Sequence, residues 1–312
     1  MMSMLIATDS AVYVWDRTAA GNDRFPVIAR NVQARAIVEH GDLQVIATDH
    51  CGWSYRDDQG IRFEVEHTIA CVLIPSERRR RLLIGTEEAH LYEFAEQSPQ
   101  AHRVDSFDQL SCRKQWHTPW GGPPAVRSLA VSANGQTVYA DIHVGSIMRS
   151  EDAGRTWEPV TPTLDEDVHQ VVTCPDAPAR VYANTANAVF ISDDRGRSWA
   201  HRSNGLNACY GRAIAVHPHN SDCLLASVSD GPHGGNGQLY RTDDAGMHWT
   251  HIITGFPAST QNNIDTFHIG FAADGSAWAV VEHTLYTSLD RGQSWTVGWA
   301  APDRIKQIAC GQ

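Results

Sequence analysis

The chain has 312 residues, and its 25 Lys and Arg against 36 Asp and Glu give a formal net charge of −11. Apolar residues make up 42% and charged residues 20%, which excludes a disordered chain and leaves enough apolar surface for a large core. An acidic chain is poorly suited to a phosphate backbone, so we expect no nucleic-acid partner.

The N-terminal segment from Met1 to Asp9 lacks a charged start followed by a long apolar run. No later stretch approaches the ~20 consecutive apolar residues of a membrane span. We therefore expect no membrane partner and a cytoplasmic location. The seven cysteines include no C-x-x-C pair, so neither a disulfide framework nor a zinc ribbon is predicted.

Two series of short apolar segments run through the chain and predict β-strands. In the first series, two apolar residues precede a small one: Leu5-Ile6-Ala7, Val45-Ile46-Ala47, Leu83-Ile84-Gly85, Val138-Tyr139-Ala140, Val181-Tyr182-Ala183, Leu224-Leu225-Ala226 and Ala277-Trp278-Ala279. The second series is centred on Ile37, Ile69, Leu129, Val171, Ile214, Ile269 and Ile308. Each series has seven members.

An eight-residue pattern recurs four times in the second half of the chain: Ser150–Trp157, Ser192–Trp199, Thr242–Trp249 and Ser288–Trp295. Its aspartates are 42, 50 and 46 residues apart. Each copy lies between two apolar runs, which predicts the turn of a β-hairpin. The composition suits a turn, since Asp accepts backbone hydrogen bonds, Gly tolerates positive φ and Trp starts the return strand with a large apolar ring.

This S/T-x-D-x-G-x-x-W pattern resembles the Asp-box, or BNR repeat, of sialidases, sortilin-type receptors, xyloglucanases and photosystem-assembly propellers. The resemblance implies a β-propeller in which the box is a structural turn remote from the active face. It implies structural roles for Asp152, Gly154, Trp157, Asp194, Gly196, Trp199, Asp244, Gly246, Trp249, Asp290, Gly292 and Trp295.

The two strand series interleave in one way only, because Leu5–Ala7 has no partner before it and Ile308 has none after it. Pairing Ile305–Cys310 with Leu5–Ala7 closes the chain and leaves no open sheet edge. The sequence therefore predicts an all-β single domain over residues 1–312. We expect a seven-bladed β-propeller of four-stranded antiparallel blades, closed by the C-terminal strand in the N-terminal blade.

The first three predicted blades depart from the box pattern. They carry Trp15, Tyr55 and Phe94 where the later blades have Ser or Thr, and only the second keeps a stretched remnant, Asp57–Phe63. Six blades plus an irregular element is the alternative count. The longest insertion is Arg103–Val126, and insertions of this length are often functional.

The first strand of each blade lines the central channel, and the residues two positions before the strand centres should face the channel mouth. These residues are Arg35, His67, Arg127, His169, Arg212, Phe267 and Lys306. Six of the seven are cationic or can become so, which predicts a ring that attracts an anion, with the three arginines as its ligands. Alternatively, each cation pairs with a carboxylate of a neighbouring blade and only completes the channel wall.

Acid and histidine residues recur together in the loops after the second strands. Carboxylates with neutral imidazoles could bind a divalent metal, although solvent-exposed polar loops explain the same pattern. The candidate metal ligands are His50, His90, His143, His283, Glu87, Asp141 and Glu282. No short ligand spacing supports such a site.

Three functions follow, of which the first is favoured: non-catalytic binding of an anionic small molecule or a protein segment at the channel mouth, with no cofactor. The second is a sialidase-like glycoside hydrolase acting on a carboxylated sugar. The resemblance implies three arginines, a Tyr nucleophile and acid residues for that chemistry, but the expected N-terminal signature is replaced by Arg24–Ile28. Glu87, Asp141 and Glu282 could supply a carboxylate pair. The third is a metal-dependent hydrolase or lyase.

Overall fold

The two apolar series of the sequence form the first two strands of seven four-stranded antiparallel sheets. Both series are buried, because neighbouring sheets pack face to face and cover each strand on both sides. The computed structural model describes residues 3–17, 23–56, 59–76, 81–96, 98–160 and 163–311. Within these ranges, 3% of the structure is helical.

The strands of the first three blades are β1 (Ser3–Thr8), β2 (Ala11–Arg17), β3 (Asp23–Arg24), β4 (Val27–Arg30), β5 (Ala36–His40), β6 (Leu43–Ala47), β7 (Cys51–Arg56), β8 (Gln59–Glu64), β9 (Ile69–Ser76), β10 (Arg81–Thr86), β11 (Leu91–Ala95) and β12 (Ser98–Arg103). Blades 4 and 5 contain β13 (Val126–Val131), β14 (Val138–Ile142), β15 (Ser146–Ser150), β16 (Glu158–Pro159), β17 (Val168–Cys174), β18 (Ala177–Thr185), β19 (Ala188–Ser192) and β20 (Ala200–Arg202). The remaining strands are β21 (Tyr210–His217), β22 (Asn220–Ser229), β23 (Gln238–Thr242), β24 (Thr250–His251), β25 (Ile269–Phe271), β26 (Ala277–Val281), β27 (Thr284–Ser288), β28 (Thr296–Ala300) and β29 (Ile305–Cys310).

Blade 1 has the order β29-β1-β2-β3, with β4 also paired to β2, and blades 2 to 7 each consist of four consecutive strands. The innermost strands β29, β5, β9, β13, β17, β21 and β25 contact one another in sequence around the ring. The predicted closure is confirmed: β29 pairs with β1 in a register that places Ile308 opposite Ile6 and Ala309 opposite Leu5.

Buried polar side chains join the inner strands of successive blades. Gln307 of β29 accepts a hydrogen bond from Ile37 N and donates one to Ile37 O, each at 3.2 Å. Ser128 Oγ accepts from Val171 N at 2.9 Å, which links blade 4 to blade 5. These bonds satisfy backbone groups that no strand partner reaches, and they fix the relative position of neighbouring blades.

Each of the four boxes forms the turn between the third and fourth strands of its blade. In blade 5, Asp194 accepts hydrogen bonds from Ser192 Oγ, Ser198 N and Ser198 Oγ at 2.6–2.8 Å. Slight burial raises the pKa of Asp194, but these bonds outweigh it and hold the pKa at about 2. Trp199 Nε1 donates to Gly196 O at 3.2 Å, and Gly196 has a φ of +82°. A carboxylate therefore organises this turn.

The aromatic residues of the boxless blades pack between sheets. Trp15 is buried and lies edge to face with Trp278 of blade 7, with ring centroids 4.9 Å apart. Phe94 packs against Phe63 of blade 2 with the two rings tilted, their centroids 5.4 Å apart. The start of the box remnant, residues 57 and 58, lies outside the described residues.

The predicted insertion folds into the helix α1 (Asp105–Asp108) and the 3₁₀ helix η1 (Ser111–Gln115). Phe107 anchors it: its buried ring packs against Trp157 at 5.2 Å and Trp116 at 5.5 Å. His117 also forms a β-bridge with Val144, so the insertion lies over blade 4.

All seven cysteines lie in the described residues and are free thiols. Among the helices that the structure describes, none is long and apolar enough to cross a bilayer.

Candidate functional site

The channel mouth is the end of the propeller where the inner strands begin and the loops between second and third strands meet. The Asp-boxes follow the third strands and therefore lie at the opposite end. The strand register places the predicted ring residues at or just before the start of each inner strand.

Each of the six basic residues of the predicted ring has a carboxylate within 3.6 Å. The pairs are Arg35 with Asp49 at 2.7 Å and Glu87 at 3.6 Å, His67 with Glu88 at 3.6 Å, Arg127 with Asp167 at 2.9 Å, His169 with Asp167 at 3.4 Å, Arg212 with Asp265 at 2.8 Å, and Lys306 with Asp9 at 3.2 Å. The mouth therefore alternates in charge instead of presenting a uniformly positive ring. Phe267, the apolar member, is half-buried with a φ of +63°.

Five of these groups, together with Tyr210, form what we call the mouth cluster: Arg127, Asp167, His169, Tyr210, Arg212 and Asp265. Asp167 is central, because its carboxylate faces both Arg127 and His169. Burial raises the pKa of Asp167, but the neighbouring His169 imidazole and the charge of Arg127 bring it below its usual value. Asp167 is therefore ionised at neutral pH.

The buried imidazole of His169 fixes the orientation of Tyr210. His169 Nδ1 donates to Gly211 O, so Nε2 of the neutral ring accepts from the Tyr210 hydroxyl at 3.2 Å. Burial lowers the pKa of His169, which favours this neutral form. The guanidinium of Arg212 lies 5.8 Å from the centre of the Tyr210 ring. The cluster thus combines ionic, aromatic and neutral polar groups in a fixed arrangement.

The insertion places an exposed tryptophan beside this cluster. Trp120 is 73% exposed and lies edge to face with His143, with ring centroids 5.0 Å apart. The turn that carries it is closed by Thr118, whose Oγ1 accepts from Gly122 N at 2.6 Å. Burial and the nearby charge of Arg127 lower the pKa of His143 to about 4, so its imidazole is neutral at pH 7. Trp120 therefore packs against a neutral, largely buried imidazole.

The seven predicted metal ligands do not form one site. Asp141 is fully buried and accepts hydrogen bonds from Ser128 N and Oγ. Burial raises its pKa to about 7. Glu87 faces Arg35, Glu282 faces Arg304 at 4.0 Å, and His50 and His283 are exposed on separate loops.

His90 alone of those candidates joins a compact ligand group. Within the described ranges, His67, Glu88 and His90 have one ligand atom each, all within 4.8 Å of one another. A groove of 730 Å³ lies nearby between blades 2 and 3, lined by residues that include Glu66, Tyr92 and Arg103. Burial lowers the pKa of His90.

The alternative that each ring cation pairs with a carboxylate of a neighbouring blade did not identify Asp167 or Asp265, and the residues around His90 were not predicted. Asp167 and Asp265 each lie two residues before a ring position, and this spacing could have suggested them. Asp108 and Arg113 come from the insertion, and no strand periodicity predicts where such a segment packs.

The comparisons with known proteins agree with the propeller fold. The family model described as "Sortilin, neurotensin receptor 3" matches residues 145–256, which contain three of the four boxes. The chain is an Asp-box β-propeller. No curated protein matches this propeller.

Solved structures show the same fold at low sequence identity. A GH74 xyloglucanase from Xanthomonas campestris has a TM-score of 0.68 and 17% identity over 99% of the propeller, which spans only 52% of that enzyme. YCF48 bound to D1 peptide has a TM-score of 0.61 and 14% identity, with 89% of the propeller and 86% of YCF48 covered. A chain of the mitotic checkpoint complex has a TM-score of 0.63 and 10% identity, with coverage of 95% and 87%.

Proposed function

We propose that this Asp-box propeller binds a protein segment at its channel mouth and does not itself catalyse a reaction. The observation that carries the proposal is the exposed indole of Trp120 beside the mouth cluster. Exposed tryptophans surrounded by well-ordered polar groups are frequent hot spots of protein recognition.

The charges of the mouth favour a polypeptide over a small anion. An anion that approached Arg127 or Arg212 would also meet the carboxylates of Asp167 and Asp265. A protein segment can supply groups of both signs and backbone amides, so it can satisfy such a surface without displacing the internal ion pairs. The similarity to YCF48, whose structure contains the bound D1 peptide, supports the same choice.

A hydrolase with two carboxylates receives less support from the geometry. Glycoside hydrolysis needs a pair of acids that both reach the substrate. Asp141 is buried and hydrogen-bonded to Ser128, so it does not reach a substrate. Glu87 faces Arg35 and Glu282 faces Arg304. The xyloglucanase likeness extends over about half of that enzyme and bears on the fold alone.

Selection from a random peptide library displayed on phage tests the proposal. The selected peptides are then measured by fluorescence polarisation against the wild type, Trp120→Ala and Leu289→Ala. Leu289 is the matched control, because it is also a 73% exposed apolar residue but lies in a box turn at the opposite end.

We expect Trp120→Ala to weaken binding about 30-fold or more, which corresponds to the ~2 kcal/mol of a hot-spot residue, and Leu289→Ala to leave it unchanged. A library that yields no binder would contradict the proposal. So would peptides whose affinity falls in Leu289→Ala and not in Trp120→Ala.

A further inference from the structure

Three potential metal ligands meet on one side of blade 3. His67 lies just before the inner strand β9, and Glu88 and His90 lie in the turn between β10 and β11. Backbone pairing brings the two segments together, since Glu87 N donates to Thr68 O at 2.8 Å. One potential ligand atom from each side chain lies within 4.8 Å of the ligand atoms of the other two. A metal ion at the centre of these three atoms would lie closer to each atom than the atoms lie to one another. Small rotations of the side chains would therefore bring all three atoms to a shared ion.

Each imidazole is oriented by a contact at its Nδ1. His90 Nδ1 donates to the Asp108 carboxylate at 2.8 Å, so the Nε2 of the neutral ring carries a lone pair. His67 Nδ1 lies 2.8 Å from the Tyr92 hydroxyl, which leaves its Nε2 free to face Glu88. An imidazole held at one nitrogen by a carboxylate or hydroxyl is the usual arrangement of metal-bound histidines.

The turn that carries two of the ligands is held in place from the insertion. Glu88 and Ala89 have φ values of +66° and +53°, a conformation that non-glycine residues rarely adopt. Arg113 stabilises it by donating to the carbonyl oxygens of both residues. Thr86 Oγ1 also accepts from His90 N at 3.2 Å. The ligand positions are therefore fixed by the fold before any ion binds.

Two guanidinium groups lie beside these potential ligands, and their positive charges disfavour the binding of a cation. Arg103 Nη2 lies 3.5 Å from His67 Nε2, and Arg113 Nη2 lies 3.4 Å from His90 Nε2. The carboxylates of Asp108 and Glu88 balance them, and Asp108 lies 3.6 Å from each arginine. The partly exposed Arg103 can turn into the adjoining groove, which it also lines.

We propose that His67, Glu88 and His90 form a binding site for a divalent transition metal of the zinc type. Two imidazoles and one carboxylate are ligands that Zn²⁺ favours over Mg²⁺ or Ca²⁺. Three protein ligands leave a coordination position for water or for an external carboxylate. The site is independent of the peptide-binding role proposed above.

The test uses the full chain without a polyhistidine tag. Co²⁺ is titrated and followed by its visible d–d absorption, and Zn²⁺ affinity is measured by competition with a chromogenic chelator. The variants are His67→Ala, His90→Ala and Glu88→Gln. The matched controls are His50→Ala and His283→Ala, because both histidines are exposed in the equivalent loops of blades 2 and 7.

We expect one equivalent of Co²⁺ with a four-coordinate spectrum. Zn²⁺ affinity should fall about tenfold or more in each ligand variant and stay unchanged in both controls. Glu88 is exposed, so Glu88→Gln tests the site even where a histidine variant unfolds.

Arg103→Ala separates a cation site from an anion site. Removing this positive charge should tighten Zn²⁺ binding if the group holds a cation. Absence of binding, Zn²⁺ binding that ignores the three ligand variants, or weaker Zn²⁺ binding in Arg103→Ala would overturn the proposal. Inorganic phosphate binding that Arg103→Ala abolishes would identify an anion site in its place.

Discussion

Arg127 Nη1 lies 2.9 Å from Asp167 Oδ1 and joins blade 4 to blade 5 at the channel mouth. The two side chains are only 15% and 19% exposed, so water screens this pair poorly. Arg127 Nη1 also donates to Val168 O at 2.8 Å, which fixes the guanidinium on the start of β17. An ion pair between two blades therefore holds the side chains of the channel mouth in position.

Asp167→Asn should destabilise the propeller by about 2–4 kcal/mol, because it leaves the buried charge of Arg127 without its counter-ion. Asp49→Asn is the control, since Asp49 pairs with Arg35 but both are about half exposed or more. That exposed pair should contribute less than about 1 kcal/mol. Urea unfolding followed by tryptophan fluorescence measures both variants. Equal losses would show that the Arg127 pair has no special role.

The buried carboxyl of Asp141 predicts a pH dependence of stability. Burial raises its pKa to about 7 in the folded state, above the ~3.9 expected in the unfolded chain. The folded state therefore binds this proton more tightly than the unfolded chain does. The stabilisation that protonated Asp141 contributes is complete below pH ~4 and is lost as the pH rises towards 7.

Asp141→Asn should remove this pH dependence, because the amide has no charge to bury. The quantity to measure is the difference in free energy of unfolding between wild type and variant at pH 5 and pH 8. The wild type should lose stability relative to Asp141→Asn between these values. A difference that stays constant would mean that Asp141 is ionised throughout.

Asp194→Ala should cost about 1–3 kcal/mol, because it removes three hydrogen bonds that close the box turn of blade 5. Its neighbour Asp193 is 68% exposed and pairs with Arg180, which also pairs with Asp222, so Asp193→Ala is a suitable control with a loss below about 1 kcal/mol.

The cost of Asp194→Ala should also depend on pH. A folded pKa of about 2 means that the Asp194 carboxylate stabilises the fold above pH ~4, and that this contribution is lost as the pH falls towards 2. Thermal melts at pH 7 and pH 2 measure it. A loss of the same size at both pH values would count against the carboxylate as the organiser of the turn.

Ile308→Ala tests the closure of the ring. Ile308 is buried in β29 and lies opposite Ile6, so the truncated side chain leaves a cavity at the joint between the chain ends. We expect a loss of about 2–4 kcal/mol. Lys306→Ala in the same strand changes an exposed side chain and should cost less than about 1 kcal/mol. Similar unfolding midpoints for wild type and Ile308→Ala would argue that β29 contributes little.

The number of blades and the closure could be predicted because they depend on local patterns. The apolar pair followed by a small residue, as in Leu83-Ile84-Gly85, marks a strand covered on both faces. A Cβ at Gly85 would lie 2.6 Å from Val126 of the next blade, so the packing itself demands the small residue. Such a signal needs no knowledge of distant contacts.

The chemistry of the mouth could be predicted only in part. Strand periodicity predicted Arg127, His169 and Arg212 near the starts of inner strands, but it did not predict their partners Asp167 and Asp265 in the links between blades. These partners depend on how neighbouring sheets approach each other, which no period in the sequence records.

Hydrogen–deuterium exchange of the wild-type protein, with and without a peptide selected from the library, shows where the peptide binds. We expect slower amide exchange in residues 118–122 and 165–170 when the peptide is bound, and unchanged exchange in the box turn at residues 289–294. Protection confined to the box turns, or no protection at the mouth at a saturating peptide concentration, would contradict a binding site at the channel mouth.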